Sequence, residues 1–261
     1  MKIVLSRKGW DSGYGKRPSP VFADSTIQSL PIECSPPSPA YASLTPASIV
    51  AQGFPNLGRF LSSYHPTLGG SGIAHLDPDL ESGAFKRAPG WVPCFGQDNS
   101  SMAASHLDNE GVGIGDLFLF YGWFDDVVRS GSGWLRKGND RHVIWGWLQV
   151  GSIVVPSSPK SIPTWLNYHP HVVHRSTYLK NRIYLSAPAL NIDDAALTGI
   201  PGAGVFGHES GSRRITAIPG SRKLYPTGLP NWLEGTRHRQ EQVWNTHGVP
   251  EAINWLRRIF A

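Results

Sequence analysis

Cysteine is nearly absent: the 261 residues hold two, Cys34 and Cys94. That excludes a disulfide framework and any Cys-x-x-Cys metal or redox site, so a reducing, cytoplasmic setting is expected. Long apolar runs are missing too. No stretch approaches the roughly 18 residues of a membrane span, and the start MKIVLSRKGW turns charged too early for a secretory signal. No membrane partner is expected. Charged residues make up only 16% of the chain, with a formal net charge of +5. So small an excess favours polyanionic partners without the basic coat of a general nucleic-acid binder. P-loop, HExxH, GxSxG and Ser–His–Asp signatures are all lacking. GVGIGD at 111–116 precedes its strand instead of following one, which excludes the dinucleotide fingerprint.

Glycine (29), proline (22) and tryptophan (10) are plentiful. Loops and short elements should therefore dominate over long helices. Two aromatic-rich runs, Asp116–Phe124 and His142–Val150, have the composition of strands. The Gly- and charge-rich tract between them reads as an exposed insertion in a hairpin. Further strands are expected at Lys2–Ser6, 182–187 and 213–218, with a glycine-rich turn at 201–207. HLDPDL (75–80) reads as a helix start with Asp77 as N-cap and Pro78 at the first helical position. A short helix is expected from about Asn99 to Asn109. A C-terminal amphipathic helix begins at Pro250, with Ile253, Leu256, Ile259 and Phe260 on its apolar face. Residues 33–71, rich in Pro, Ser, Ala and Gly, read as a long irregular insertion. The expected fold is one α+β domain over 1–261: a β-rich sheet or PUA-like β-barrel with long Pro/Gly-rich loops and a C-terminal amphipathic helix.

Polar residues of chemical interest gather in a few short stretches. His169-Pro170-His171 is the densest histidine cluster, with His174 close behind. If extended, it points His169 and His171 to one side, as two ligands of one metal would be, with His174, His142 or an acid as a third. Structural or hydrogen-bonding histidines explain the cluster better than a metal does, so no metal site is assigned, His169 and His171 remain metal candidates only and no cofactor is specified. In HLDPDL, helix capping already explains Asp77, which leaves His75 as the residue without a structural explanation. Asp11, close behind Arg7 and Lys8, would stay ionised beside two cations and could act as a base, and a buried Lys8 could serve as an amine nucleophile. Gln97 suits reading of a base edge, and His106 faces Met102 on the short helix. Tyr121, Trp123 and Trp145 are candidate stacking rings, with Asp116 and Gln149 as polar neighbours on the same strands.

SRKGWDS, PSP and SLPI near the N-terminus, then HLDPDL, FGQ, SHL, GVGIGDLFLFYGWF, HVIWGWLQVG, HPH and PGAGVF, follow in order along the chain. In these motifs the chain resembles the nucleotide modification associated domain of the third type, a family of phage and bacterial proteins. It departs from that pattern in the segment 33–71 and in ADSTIQSL, where an Asp-Gly turn is expected. The resemblance implies a part in making, editing or sensing modified bases, with DNA or a nucleotide as partner. The pair GDLFLFYGWF and HVIWGWLQVG is also similar to the strand pair of PUA-like domains of the EVE and ASCH groups. That likeness implies a barrel holding a flipped base in an aromatic pocket.

Three functions fit these readings. An enzyme acting on a nucleobase or nucleotide would use Lys8, Asp11, His75, Asp77, His169 and His171 for chemistry. It would use Arg7, Gln97, His106, Tyr121, Trp123, Trp145 and Gln149 for binding. A non-catalytic reader of modified bases would need the aromatic rings and few of the others. A metal-dependent nuclease would turn the His and Asp clusters on phosphodiesters. The number of chemically capable groups outside the aromatic hairpin favours the enzyme.

Overall fold

The two aromatic runs become the longest strands of the protein, Leu117–Ser130 and Arg141–Val154, paired antiparallel. The structure is a computed structural model that describes residues 1–68, 70–99, 102–138, 140–158, 162–192, 195–196, 199–207, 216–218, 236–238, 241–246 and 249–260. In chain order its strands and helices are β1 (Lys2–Arg7), β2 (Ser19–Val21), β3 (Glu33–Cys34), α1 (Ala47–Ala51), α2 (Leu57–Tyr64), β4 (Ile73–Ala74) and β5 (Cys94–Gln97). There follow α3 (Ala103–Asn109), β6 (Leu117–Ser130), β7 (Gly133–Arg136), β8 (Arg141–Val154), α4 (Pro170–Val173) and β9 (Arg182–Ser186). The remainder are β10 (Asn191–Ile192), β11 (Ala195–Ala196), β12 (Ala203–Val205), β13 (Thr216–Ile218), β14 (Thr236–His238), β15 (Glu241–Asn245) and α5 (Pro250–Phe260). Of the expected strand at 213–218, residues 216–218 are described and pair with β8; 213–215 lie outside the described residues.

The fold is α+β. Its large mixed sheet runs β14-β15-β1-β6-β8-β9-β5 and does not close into a barrel. The PUA-like alternative is thereby corrected: β1 enters parallel to β6 and antiparallel to β15, which makes an open mixed sheet. Both faces of the central strands are covered. Leu117, Leu119 and Tyr121 pack with α5, through Leu256, Ile259 and Phe260. Phe118, Phe120 and Phe124 pack the other way, with Phe95, Leu107 and Tyr184. A strand buried on both faces reads as an unbroken apolar run, which is what GDLFLFYGWF is. A bulge between Phe120 and Tyr121, opposite Gly146 and Ile144, lets Trp145 slip out of strict alternation.

Three sequence expectations change at this level. The tract after Phe124 is not a simple exposed insertion, because β6 continues to Ser130 and β7 folds back on it. Residues 201–207 hold a strand, β12, that pairs with β8. The segment 33–71 is less irregular than its composition implies. It carries α1 and α2, the latter capped by Asn56, whose side chain accepts from the Arg59 N–H at 2.9 Å. Leu44, Ile49, Leu57, Phe60, Leu61 and Tyr64 bury a third core with Trp10, Phe22 and Trp134. Helices this short do not announce themselves by periodicity among so many Pro, Ser and Gly. The C-terminal helix lies where its apolar spacing puts it, with Ala252, Leu256, Ile259 and Phe260 buried. Among the described residues no helix is long and apolar enough to cross a membrane.

Candidate functional site

HLDPDL does not start a helix. Residues 73–74 pair with 33–34 as a two-stranded ribbon, and the chain then runs extended until Asp79 bridges to Cys94. The Asp77 carboxylate is thus free of capping and points across the chain. Its Oδ1 accepts the Gly96 N–H at 2.7 Å. The ring Nε2 of His169 stands 3.4 Å from the same oxygen, while Nε2 of His171 and of His75 stand 3.5 and 3.7 Å from Oδ2. Three histidines converge on one buried acid.

The HPH stretch is not extended either. His169 caps the short helix α4, its Nδ1 accepting from the His171 N–H at 3.2 Å. The helix then turns both rings to Asp77 by a route that period-2 reasoning does not supply. Exposure falls in order across the group: His75 16%, His171 5%, Asp77 3%, His169 none. His169 therefore lies behind the carboxylate, and His75 and His171 front a cleft. Among the described residues, His75, Asp77 and His171 form the set close enough to share one metal ion. Of the two histidines nominated as ligands from sequence, His171 is in that set and His169 is not.

Burial alone would raise the Asp77 carboxyl, but hydrogen bonding to His169, His171 and His75 holds it well below the usual carboxylate range. Burial works against a charged His75; Asp77 and then Cys34 outweigh it and raise the ring to about 9. In His169 burial prevails and its proton affinity falls, Asp77 offsetting only part of the loss. Cys34 reaches the same cleft, its Sγ 3.7 Å from His174 Nε2 and 3.6 Å from Ser38 Oγ. Burial would raise this thiol, yet His75 and Ser38 bring it down to about 6. Cys94, fully buried, goes the other way.

The cleft has a volume of about 520 Å³, in the range of small-molecule sites. Arg7, Lys8, Asp11 and Gln97 line it together with His75, Asp77 and His171. Several of these are already engaged. Arg7 pairs with Asp11 at 2.7 Å, and the other Asp11 oxygen accepts the Gly13 and Tyr14 N–H groups. Asp11 thus holds its loop, a role its geometry fits better than that of a base. Lys8 sits 3.3 Å from the fully buried Glu241 and 4.5 Å from the Phe95 ring centre. The Gln97 amide donates to that same Glu241 oxygen at 2.6 Å. Asp98 and Glu33 add further carboxylates to the wall.

The remaining predicted contacts lie elsewhere. Tyr121, Trp123 and Trp145 are buried, because the sheet that carries them is covered on both faces. Trp123 donates to Asp140, and Trp145 borders a smaller cavity of about 70 Å³ that shares Gly9 and Asp77 with the cleft. Gln149 uses its amide to hold Gly115 and Asn191, next to another cleft near α5. Asp116 binds the Lys2 and Gly113 N–H groups. His106 is on α3 and is not among the cleft-lining residues. The rings that do face the cleft are Tyr14, 55% exposed, and Tyr178, whose ring centre is 4.8 Å from that of His171. Neither stands out in sequence, since each is a lone tyrosine in a polar loop. Cys34, Asn181 and Glu241 were missed for a different reason: each meets its partner from a segment that carries no local signal for the contact.

A family model described as nucleotide modification associated domain 3 matches residues 2–257. The chain belongs to the nucleotide modification associated domain 3 family. No curated protein and no solved structure matches the chain. Membership of this family associates the protein with nucleotide modification. The match spans every residue that lines the cleft, from Arg7 to Tyr178, and Glu241 behind it.

Gly96 makes the site sensitive to one methyl group. A Cβ at this position would lie 2.3 Å from His171 Cδ2 and 2.4 Å from its Cγ. Gly96→Ala should therefore push the His171 ring out of place while β5 keeps its pairing with β9. The expected outcome is a native-like circular dichroism spectrum with displaced His171 ring resonances in NMR. An unmoved His171 ring would contradict the packing described.

Proposed function

We propose that the protein is an enzyme that modifies a nucleobase or nucleotide in the Asp77 cleft, with Asp77, His75 and His171 at its reactive centre. The observation that carries this reading is the convergence of three histidines on one buried carboxylate at the wall of a nucleotide-sized cleft. A group of this kind is expensive to bury for structural reasons alone, and perturbed titratable groups lining a cleft are a mark of catalytic sites. Family membership supports a nucleotide or DNA as the substrate class.

Within this reading Tyr14 and Tyr178 flank a flat ring, where stacking contributes about 1–3 kcal/mol per base. Arg7 and Lys8 keep donor capacity beyond their acidic partners and hold an anionic or carbonyl group of the substrate. The cleft itself is no phosphate trough, because Asp11, Glu33, Asp77 and Asp98 offset its cations. A base extruded from DNA fits that balance, its backbone staying outside, and so does a free nucleotide. The reader hypothesis loses support because the hairpin rings it relies on are buried.

Nucleoside mass spectrometry provides the test. Duplex DNA, single-stranded DNA and a nucleotide mixture are digested and compared before and after incubation with the protein. A new nucleoside mass in at least one arm is expected. Unchanged nucleosides alongside tight, salt-dependent binding would establish a reader instead, and strand breaks without a new mass a nuclease.

A further inference from the structure

We propose that His75, Asp77 and His171 bind one divalent first-row transition metal ion, with His169 and Asn181 as the groups that aim its ligands. The inference deepens the function proposed above but rests on geometry of its own. Asn181 Nδ2 donates to the His171 carbonyl at 2.6 Å, so the Asn181 oxygen is what faces His171 Nδ1, at 2.7 Å. Only an Nδ1–H can donate to that oxygen. In the neutral ring the lone pair of His171 is thereby placed on Nε2, directed at Asp77 Oδ2 3.5 Å away. With the ring in that form two acceptors face one another, an arrangement that a metal cation held between them satisfies.

The other side of the carboxylate is arranged to leave Oδ2 available. His169 Nδ1 accepts a backbone N–H, so its proton is on Nε2 and turned to Oδ1, which also takes the Gly96 N–H. His169 is thus a positioning residue. Among the described residues its fully buried Nε2 meets no hydrogen-bond partner of good geometry and stands 3.4 Å from Oδ1. His75 Nε2 completes the set at 3.7 Å from Oδ2.

One ligand atom from each of the three residues lies within 4.8 Å of the other two. Ligands about 2.0–2.1 Å from a tetrahedral ion sit roughly 3.3 Å apart, so the two histidine distances to Asp77, 3.5 and 3.7 Å, need to close by a few tenths of an ångström, and the His75–His171 separation, within 4.8 Å, by at most about 1.5 Å. Two imidazoles and one carboxylate suit Zn(II) or Fe(II) and not the hard, oxygen-seeking Mg(II) or Ca(II). Three protein ligands leave coordination positions open to the cleft, as in catalytic metal sites. The Asn181 oxygen that accepts from His171 Nδ1–H and the donors to Oδ1 are the outer groups such a site requires.

The full-length protein is stripped with a chelator, then titrated with Zn(II), with Fe(II) under anaerobic conditions and with Mg(II). Bound metal is counted after desalting. One equivalent of Zn(II) or Fe(II) per chain is expected, and none of Mg(II). Affinity should fall at least 100-fold in Asp77→Asn and in His171→Ala, about 10–100-fold in Asn181→Ala, and stay unchanged in His65→Gln. Histidine NMR of the wild type gives a readout independent of variant folding: the His75 and His171 ring signals should change on loading. No stoichiometric uptake of either ion would overturn the proposal, as would uptake that His171→Ala leaves intact. Metal binding without any new nucleoside mass would retain this site and reject the proposed function. A new mass formed by chelator-stripped protein would do the reverse.

Discussion

Asp77→Ala should lower the free energy of unfolding by about 3–5 kcal/mol, the cost of removing one partner from a buried charged cluster. The carboxylate is 3% exposed and serves the Gly96 N–H together with three imidazoles. Without it, the Gly96 N–H and the His169 ring face a void of low dielectric and cannot turn to water, while His75 and His171 keep access to the cleft. Asp77→Asn keeps the volume and one oxygen for Gly96, so its loss of stability should be less than half as large. Both variants should nevertheless lose about 10²–10⁴-fold in product formation, the usual contribution of a positioned acid or base. Urea unfolding followed by tryptophan fluorescence separates the two effects. An Asp77→Asn protein that is stable and fully active would remove Asp77 from the reactive centre.

The second large effect concerns the neighbouring acid. Asp79, 1% exposed, faces away from the histidines into a network of its own. Arg87 forms a two-pronged ion pair with it, the Trp91 ring N–H donates to it at 3.0 Å, and the Tyr168 hydroxyl donates to the same oxygen. Burial and then the Asp79 charge push the Tyr168 hydroxyl well above its ordinary value, so it stays protonated and remains a donor. Arg87 also stacks over Trp91 at 4.3 Å. Asp79→Ala should cost about 3–5 kcal/mol by leaving a buried guanidinium unpaired. In contrast to Asp77, the rate per folded molecule should change less than about threefold, because no atom of this network lines the cleft. Replacing Asp79 and Arg87 together by apolar residues should restore much of the stability, since the burial cost of both charges is then removed. Failure of the double variant to recover would show that Asp79 supports the chain by some other contact. Two acids two residues apart thus divide into one that holds the wall and one that faces the cleft.

How much of this was legible beforehand follows from where each residue gets its partners. The two long strands, β1 and α5 are readable because their apolar patterns are local. Arg7, Lys8, His75, Asp77, Gln97 and His171 stand out as polar groups in otherwise loop-like stretches, and the cleft gathers all of them. The stacking roles assigned to Tyr121, Trp123 and Trp145 do not match their positions. A strand's alternation tells which residues share a face but not whether that face is covered, and here α5 and the Phe95–Tyr184 side cover both. HLDPDL misled for a related reason. Its Asp-Pro step suits a helix start, yet the Gly96 N–H and the histidines compete for the carboxylate and win by tertiary contact. Glu241 could not be found at all, since it meets Ser6 across 235 residues of sequence. Cys34 and Asn181 are invisible in the same way, because each acts on a histidine brought to it by the fold.

The location of the nucleotide is best tested by NMR of the protein labelled in histidine and in the backbone, titrated with a deoxynucleoside monophosphate and with a short single strand. The ring signals of His75 and His171 should move together with the amides of Lys8, Cys34 and Tyr178, while those of His65 stay in place. Shifts confined to Gly115, Gln149 and Asn191, around the other cleft by α5, with His75 and His171 unmoved, would contradict the assignment of the Asp77 cleft as the nucleotide site.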